Sequence, residues 1–381
     1  MLEKGYLNSL EMVLECLNMK ETASRIATEE LRSCYQEKGI VAGTHHFTDY
    51  WGRDGFFASM GAMAIEDYKV VRNMVDLFFD HQRSDGMIPY RVMNGPITIG
   101  KYFGRSKKYA EPLPTYKLRG FGAEVLDGTT LTIMTLAQLW KKGEAEIDKY
   151  VPKVEKALAF LKSKEKNGLL WDGDMCEWND AVGKRGNLLY SNIIYWNMFR
   201  ELGMVDIQNE VAKNLRERLW TGKYFADWRD NRRQDYFYAF GNLLAVAWGL
   251  TSAKESNSIM KESLTAKIGF TLETNTPKYP RKKVFWFNRL LGIPDYQNQG
   301  LLWWQPACAY VAALIKTGND KEAKKQMDLM SRKIVEDRKV CECYERDGSP
   351  VKRLLYQAEQ PFAWAAGQYL WAHSLYKKAP G

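Results

Sequence analysis

The segment Glu177-Trp178-Asn179-Asp180 sets two carboxylic acids around a tryptophan, and Cys341-Glu342-Cys343-Tyr344 sets another beside a tyrosine. Such residues can move protons. An acid against an apolar ring keeps its proton to higher pH, whereas a carboxylate held by hydroxyl or N–H donors stays ionised. A pair so tuned, facing each other from distant parts of a chain, suits acid–base cleavage of a bond to oxygen. Asp180 is read as the proton donor, with Glu177 its close competitor. Glu342 is read as the base, with Glu359 in "YQAEQPFAW" its competitor; strand alternation puts Glu342 and Tyr344 on one side, where the tyrosine can hold the carboxylate by a hydrogen bond. The turn around Asp180 also suits an ordinary helix N-cap, and Glu342 also suits a surface strand ending in the "RDGSP" turn.

The composition suggests what the bond belongs to. Thirteen Trp and twenty-one Tyr accompany only four His. Aromatic faces stack on the C–H faces of hydroxylated rings while neighbouring polar groups bind the hydroxyls. A carbohydrate partner is therefore expected. Trp51, Arg53 and Asp54 in "YWGRDGFF" are the leading contacts, an ionised Asp being able to accept from adjacent hydroxyls. Trp178, Trp303 and Tyr344 supply rings, and Asp85, Asp127, Asn192, Gln297, Asn298 and Gln357 are further polar ligands. His45, His46 and His81 would instead suit a sugar epimerase, which uses histidine acid–base pairs. A carbohydrate-binding protein without catalysis is the third reading.

The net charge of +9 follows no nucleic-acid module. The basic residues of "VGKRG" and "RDNRR" would favour an anionic leaving group if they faced the site. No stretch approaches the roughly 20 apolar residues of a membrane span, and "MLEKGYLNSLEMVLECLNMK" does not read as a signal peptide. The six scattered cysteines match no zinc-site spacing. A cytoplasmic location follows as an expectation; the oligomeric state is not encoded legibly.

These residues are far apart in sequence, so a scaffold must gather them. Helical periodicity predicts twelve segments, near 8–35, 54–66, 68–83, 127–142, 145–163, 189–202, 204–219, 239–250, 253–263, 303–316, 318–334 and 361–377. Their connections alternate between short turns and long links, as expected for six antiparallel helix pairs. Closed into a ring, the pairs give an all-α (α/α)6 toroid, a single domain over 1–381, with every long loop on one rim. The long loops hold "HHFTDYWGRD", "HQRSDGMIPY", "GFGAEVLDGTT", "GDMCEWNDAVGKRGN", "ADWRDNRRQDYFYAFGN", "PDYQNQGLLWW" and "CECYERDGSPVKRLLYQAEQPFAW". Loops on a rigid scaffold are where function concentrates.

"YWGRDGFFASMGAMAI", "HQRSDGMIPY", "EWNDAVGKRGNLLYSNIIYWNMF", "FGNLLAVAWGL", "YQNQGLLWWQPACAYVAAL" and "ECYERDGSP…LYQAEQPFAWAAGQYLWA", in this order, resemble the glycogen-debranching amylo-α-1,6-glucosidase family and its glucoamylase, trehalase and neutral-invertase relatives. The likeness runs from about residue 40 to 377. It implies an (α/α)6 toroid and an inverting glycoside hydrolase needing no metal or organic cofactor. It maps the acid onto Asp180, the base onto Glu342, and substrate contact onto Trp51, Arg53 and Asp54. "YQNQGLLWWQP" replaces a histidine-bearing form, and there is no room for the N-terminal β-domain of the debranching members. Both a glycogen branch and a small α-glucoside remain candidate substrates. An inverting reaction would set the two carboxyls roughly 6.5–9.5 Å apart, leaving space for a water.

Overall fold

The computed structural model describes residues 2–95, 109–118 and 122–379, with side chains from residue 18 onward. The start of "GFGAEVLDGTT" lies outside the described residues.

Helices appear wherever periodicity asked for them. They are α1 (Leu2–Ser33), α2 (Gly52–Ala64), α3 (Tyr68–Asp80), α4 (Asp127–Lys141), α5 (Val151–Ser163), α6 (Leu189–Leu202), α7 (Val205–Leu219), α8 (Ala239–Ala247), α9 (Ala253–Ser263), α10 (Trp304–Lys316), α11 (Asp320–Asp337) and α12 (Ala363–Lys378). The even-numbered helices pack in sequence, α2 on α4, α4 on α6, α6 on α8, α8 on α10, α10 on α12, and α12 back on α2. The ring is therefore closed. Each odd-numbered helix lies outside, against its neighbours.

The two rings differ in chemistry for a physical reason. An inner helix meets protein on every side, so it must be apolar or small all round. In α2 nearly every residue is buried, and the same holds for α10. An outer helix needs only one stripe. Val70, Val71, Met74, Leu77 and Phe78 bury that stripe in α3, and Ala323, Met327, Met330 and Ile334 bury it in α11. In α5 the stripe is Val154, Ala157, Phe160 and Leu161, with Tyr150 buried in the 3₁₀ turn that precedes it and Val151 exposed.

The ring closes where α2 crosses α12, and this seam depends on glycine. A Cβ on Gly61 would lie 2.1 Å from the Gly367 carbonyl oxygen, and one on Gly367 would lie 2.6 Å from Ala58. Any larger residue would force the two backbones apart.

Short antiparallel ladders tie the long loops together on one rim. Tyr50–Trp51 pairs with Arg91–Met93, which pairs with Leu113–Thr115. Asn187–Leu188, Ala226–Arg229, Arg233–Tyr238 and Asn275–Thr276 form a four-stranded sheet. Leu302–Trp303 pairs with Cys343–Tyr344. Among the described residues, no helix is long and apolar enough to cross a membrane.

Candidate active site

A cavity of about 180 Å³ opens on the long-loop rim. Its wall is aromatic: Phe47, Trp51, Trp178, Tyr296, Trp303, Phe362 and Trp364. Trp178 meets Trp303 edge-to-face at 5.4 Å and Trp364 at 6.0 Å, and Trp364 stacks on Phe57 at 4.9 Å. The rings therefore brace one another. Asp54, Asp180 and Glu342 reach this cavity from the first turn of α2 and from the loops before α6 and α12. Arg53 and Gln297 complete the polar lining.

Glu342 is the most firmly held of the three. Tyr296 and Tyr356 each donate a phenolic O–H to it, the latter at 2.6 Å, and the Glu359 N–H donates at 2.9 Å. Burial pushes its carboxyl above the ordinary range, against these donors and the nearby His46. Three donors aimed at a carboxylate favour its ionised form and leave it no rotational freedom.

Asp180 is more open, its side chain 36% exposed. Gln297 fixes the loop that carries it. Its Oε1 accepts from the Ala181 N–H at 2.8 Å, its Nε2 donates to the Trp178 carbonyl at 2.5 Å, and its own carbonyl accepts from Asn179. Arg53 Nη1 stands 3.8 Å from Asp180 Oδ2. The guanidinium is anchored from behind by buried Asp127, Nε to Oδ2 at 2.6 Å, which partly neutralises it before it reaches Asp180. Asp54 feels burial first, then Arg53 pulling its carboxyl down, and Glu342 and Asp180 pushing it up. The outcome is a carboxyl raised to about 7.

Trp51 is the cap residue of α2, with its outer face covered by the Arg91 guanidinium at 4.2 Å. Buried Asp49 accepts from Arg91 and fixes it there. A tryptophan stacked against a cation on one side presents only its other face.

Several expected ligands lie elsewhere. Asp127 supports Arg53 and does not line the cavity. Asn192 is wholly buried, with its amide bonded to the backbone of Leu170 and Leu188. Asn298 holds both backbone groups of Tyr279. Asp85 closes its own turn with Arg83 and the Met87 N–H, and Gln357 is exposed in a hairpin opposite Lys352. Tyr344 does not hold Glu342; its hydroxyl accepts from the Cys341 N–H at 3.2 Å and its ring packs against Phe270 and Trp304. Strand alternation misled here because the ladder covers only Cys343–Tyr344 and the chain turns before it.

Both competitors to the acid and the base are otherwise engaged. Glu177 is buried in an ion pair with Lys184, and burial, opposed by Lys184 and aided by Asp227, raises it to about 7. Glu359 has its oxygens filled by the N–H groups of His45, His46 and Phe47 and by His46 Nδ1, which hold its carboxyl low despite burial. His45, His46 and Glu359 bring potential metal-ligand atoms within 4.8 Å of one another. The same bonds commit Glu359 to shaping the loop. His81 does not line the cavity.

Lys184 of "VGKRG" is wholly buried and does not face the cavity, as favouring an anionic leaving group would require. It bonds both oxygens of Asp227, at 3.1 and 3.0 Å, beneath the Tyr238 and Tyr279 rings. Arg233 of "RDNRR" is taken up by Asp235 and the Trp220 carbonyl. Among the described residues, the loops before α4 and α8 supply no lining residue of the cavity. Sequence reasoning passed over Phe47, Tyr296, Tyr356, Phe362 and Trp364. All five sit within the quoted long-loop segments, where nothing singled them out from their neighbours.

Residues 16–184, just under half of the chain, match the amylo-alpha-1,6-glucosidase family. This bears out the resemblance read from the motifs. No curated protein sequence matches significantly. Among solved structures, a GH63 mannosylglycerate hydrolase from Thermus thermophilus superposes with a TM-score of 0.63 at 14% identity, over 91% of this chain and 99% of that one. A protein described as glycosidase, wild type, gives 0.66 at 10% identity, over 96% and 99%. A rhamnosidase from Klebsiella oxytoca with rhamnose bound gives 0.62 at 14% identity, over 93% of this chain and 63% of that one. These likenesses carry the (α/α)6 fold.

Proposed function

We propose that this chain, acting as one catalytic unit, is an inverting glycoside hydrolase that cleaves an α-glucosidic bond. The observation that carries the reading is the convergence of Asp54, Asp180 and Glu342, from separate segments, on one aromatic-walled cavity. Trp51, Trp178, Trp303 and Trp364 stack on the sugar, and Asp54 accepts from its hydroxyls. Asp180 protonates the leaving oxygen from the more open side. Glu342, held ionised by two tyrosines, takes a proton from water on the other face and directs it at the anomeric carbon. The bond from that carbon to the leaving oxygen breaks as the water bond forms.

The match of residues 16–184 to the amylo-alpha-1,6-glucosidase family supports hydrolysis over its rivals. An epimerase needs histidines in the cavity, and none is among the described lining residues. A simple binding protein has no use for a carboxylate gripped by three donors.

The test is a panel of α-glucosides (trehalose, sucrose, isomaltose, limit dextrin, glucosylglycerate) followed by proton NMR. Release of β-glucose as the first-formed sugar supports the reading. First-formed α-glucose contradicts inversion, and a changed but uncleaved sugar points to epimerisation.

A further inference from the structure

Four consecutive residues, Tyr296 to Gln299, each hold a different part of the rim. Tyr296 donates its O–H to Glu342, and its carbonyl accepts from Trp303 Nε1 at 2.7 Å. Gln297 bonds the loop that carries Asp180. Asn298 holds Tyr279, and the Gln299 N–H donates at 3.1 Å to Asn275 Oδ1, in the four-stranded sheet. The base and the loop of the acid are therefore gripped by neighbours in sequence. Their Cα atoms are about 3.8 Å apart across one rigid peptide unit.

The bonds of Gln297 bracket Asp180. On one side its Nε2 donates to the Trp178 carbonyl, and its own carbonyl accepts from Asn179 Nδ2 at 2.8 Å. On the other side its Oε1 accepts from the Ala181 N–H at 2.8 Å. A primary amide donates and accepts from one planar group, so a single side chain can hold both backbone groups. Gln297 and Asn179 are both buried, where such bonds are stronger than in water.

Other contacts keep the loop in one piece. The Val182 N–H closes its turn on the Asn179 carbonyl at 3.2 Å, and the Phe285 N–H donates to the Ala181 carbonyl at 2.8 Å. The Trp178 ring is braced by Tyr238, Phe240, Trp303 and Trp364. Gln297 ties this unit, on both sides of Asp180, to the segment that grips Glu342.

We infer that Gln297 is a positioning residue for proton donation, fixing the acid relative to the base through its bond to Tyr296 in the chain. This rests on the proposed hydrolase. Proton transfer needs Asp180 within hydrogen-bond reach of the leaving oxygen, and a misplacement of about 1 Å can cost about 10²-fold. Attack by water depends on Glu342 and its holder Tyr296 instead.

Two substrates separate the two ends of the segment. α-Glucosyl fluoride loses its fluoride without a proton from an acid, whereas an O-glucoside of the panel above needs one. Gln297→Met keeps the size of the side chain and removes both amide groups. Its kcat on an O-glucoside that the parent cleaves should fall about tenfold or more, with KM near the parent value, while its rate on the fluoride stays within about threefold. Tyr296→Phe should lower both substrates alike, by about tenfold or more. Asn179→Ala removes one bond of the same tie from the other side. It should show the selectivity of Gln297→Met at about fivefold, and it decides the matter if Gln297→Met does not fold. Equal loss on both substrates in Gln297→Met and Asn179→Ala, as a sugar contact or a general support would give, or no loss on either, would overturn the inference while leaving the hydrolase intact. A parent enzyme inactive on the fluoride and on the whole panel would overturn both.

Discussion

Glu177 and Asp180 lie on the same loop and end in opposite situations. Glu177 is sealed with Lys184 and Asp227 beneath aromatic rings, two carboxylates sharing one buried lysine. Asp180 opens on a cavity that also holds Asp54 and Glu342, with Arg53 the cation among its described lining residues. The first cluster is closed to solvent and can only hold the loop. The second is open to a ligand. Proximity of acids does not distinguish structure from chemistry here; what distinguishes them is whether a substrate can arrive.

That contrast yields experiments. Replacing Asp180 by Asn or Glu342 by Gln should lower kcat on an unactivated α-glucoside by about 10³-fold or more, with thermal unfolding little changed. Lys184→Ala should do the reverse in kind. Stranding Glu177 and Asp227 without their cation should cost about 3–5 kcal/mol of stability by chemical denaturation, and activity should fall only as the folded fraction falls. Full stability in Lys184→Ala would break the distinction between the clusters.

A smaller effect concerns the grip on Glu342. Tyr356→Phe removes one donor to a carboxylate, a bond worth about 1.5–3 kcal/mol, so kcat should fall about tenfold or more while KM stays near its parent value. Unchanged kcat would show that Tyr296 and the Glu359 N–H suffice.

Subtler still is the response of Asp54 to pH. Its folded-state carboxyl titrates near 7 against an ordinary value of 3.8. Between those values the folded chain binds more protons than the unfolded one, so this group makes stability decline as pH rises. Asp54→Asn should therefore raise Tm by about 2 °C or more at pH 8, and the gain should fade as pH drops to about 4. A gain independent of pH would contradict the crowding of carboxyls. At the bottom of the scale, Asp85→Ala and Gln357→Ala should leave both kinetic constants unchanged, since neither side chain reaches the cavity.

The scaffold was legible because its signals are local. Stripes such as Val70-Val71-Met74 and the alternation of short and long links belong to single stretches of chain, and they returned all twelve helices, though the starts of α1 and α5 were each six residues off. That Asp180, Glu342, Trp51, Arg53 and Asp54 meet at one cavity was legible through ordered motifs. What remained hidden depends on contacts between distant segments. Tyr344 looked like the partner of Glu342 because it is close in sequence, whereas Tyr296 and Tyr356, on other parts of the chain, make the contact. Asn192, in the first turn of α6, and Asn298, on a long loop, have amides consumed by backbone that no motif reveals. Lys184 reads as a surface cation until Asp227 and Tyr279 are folded over it.

The account turns on Asp180 and Glu342 having separate jobs at one bond. Initial rates on α-glucosyl fluoride test it most directly, because fluoride leaves without a proton from an acid but still needs an activated water. The account predicts that Asp180→Asn keeps its rate within about tenfold of the parent and that Glu342→Gln loses about 10³-fold. Loss confined to Asp180→Asn, or equal retention by both variants, would contradict it.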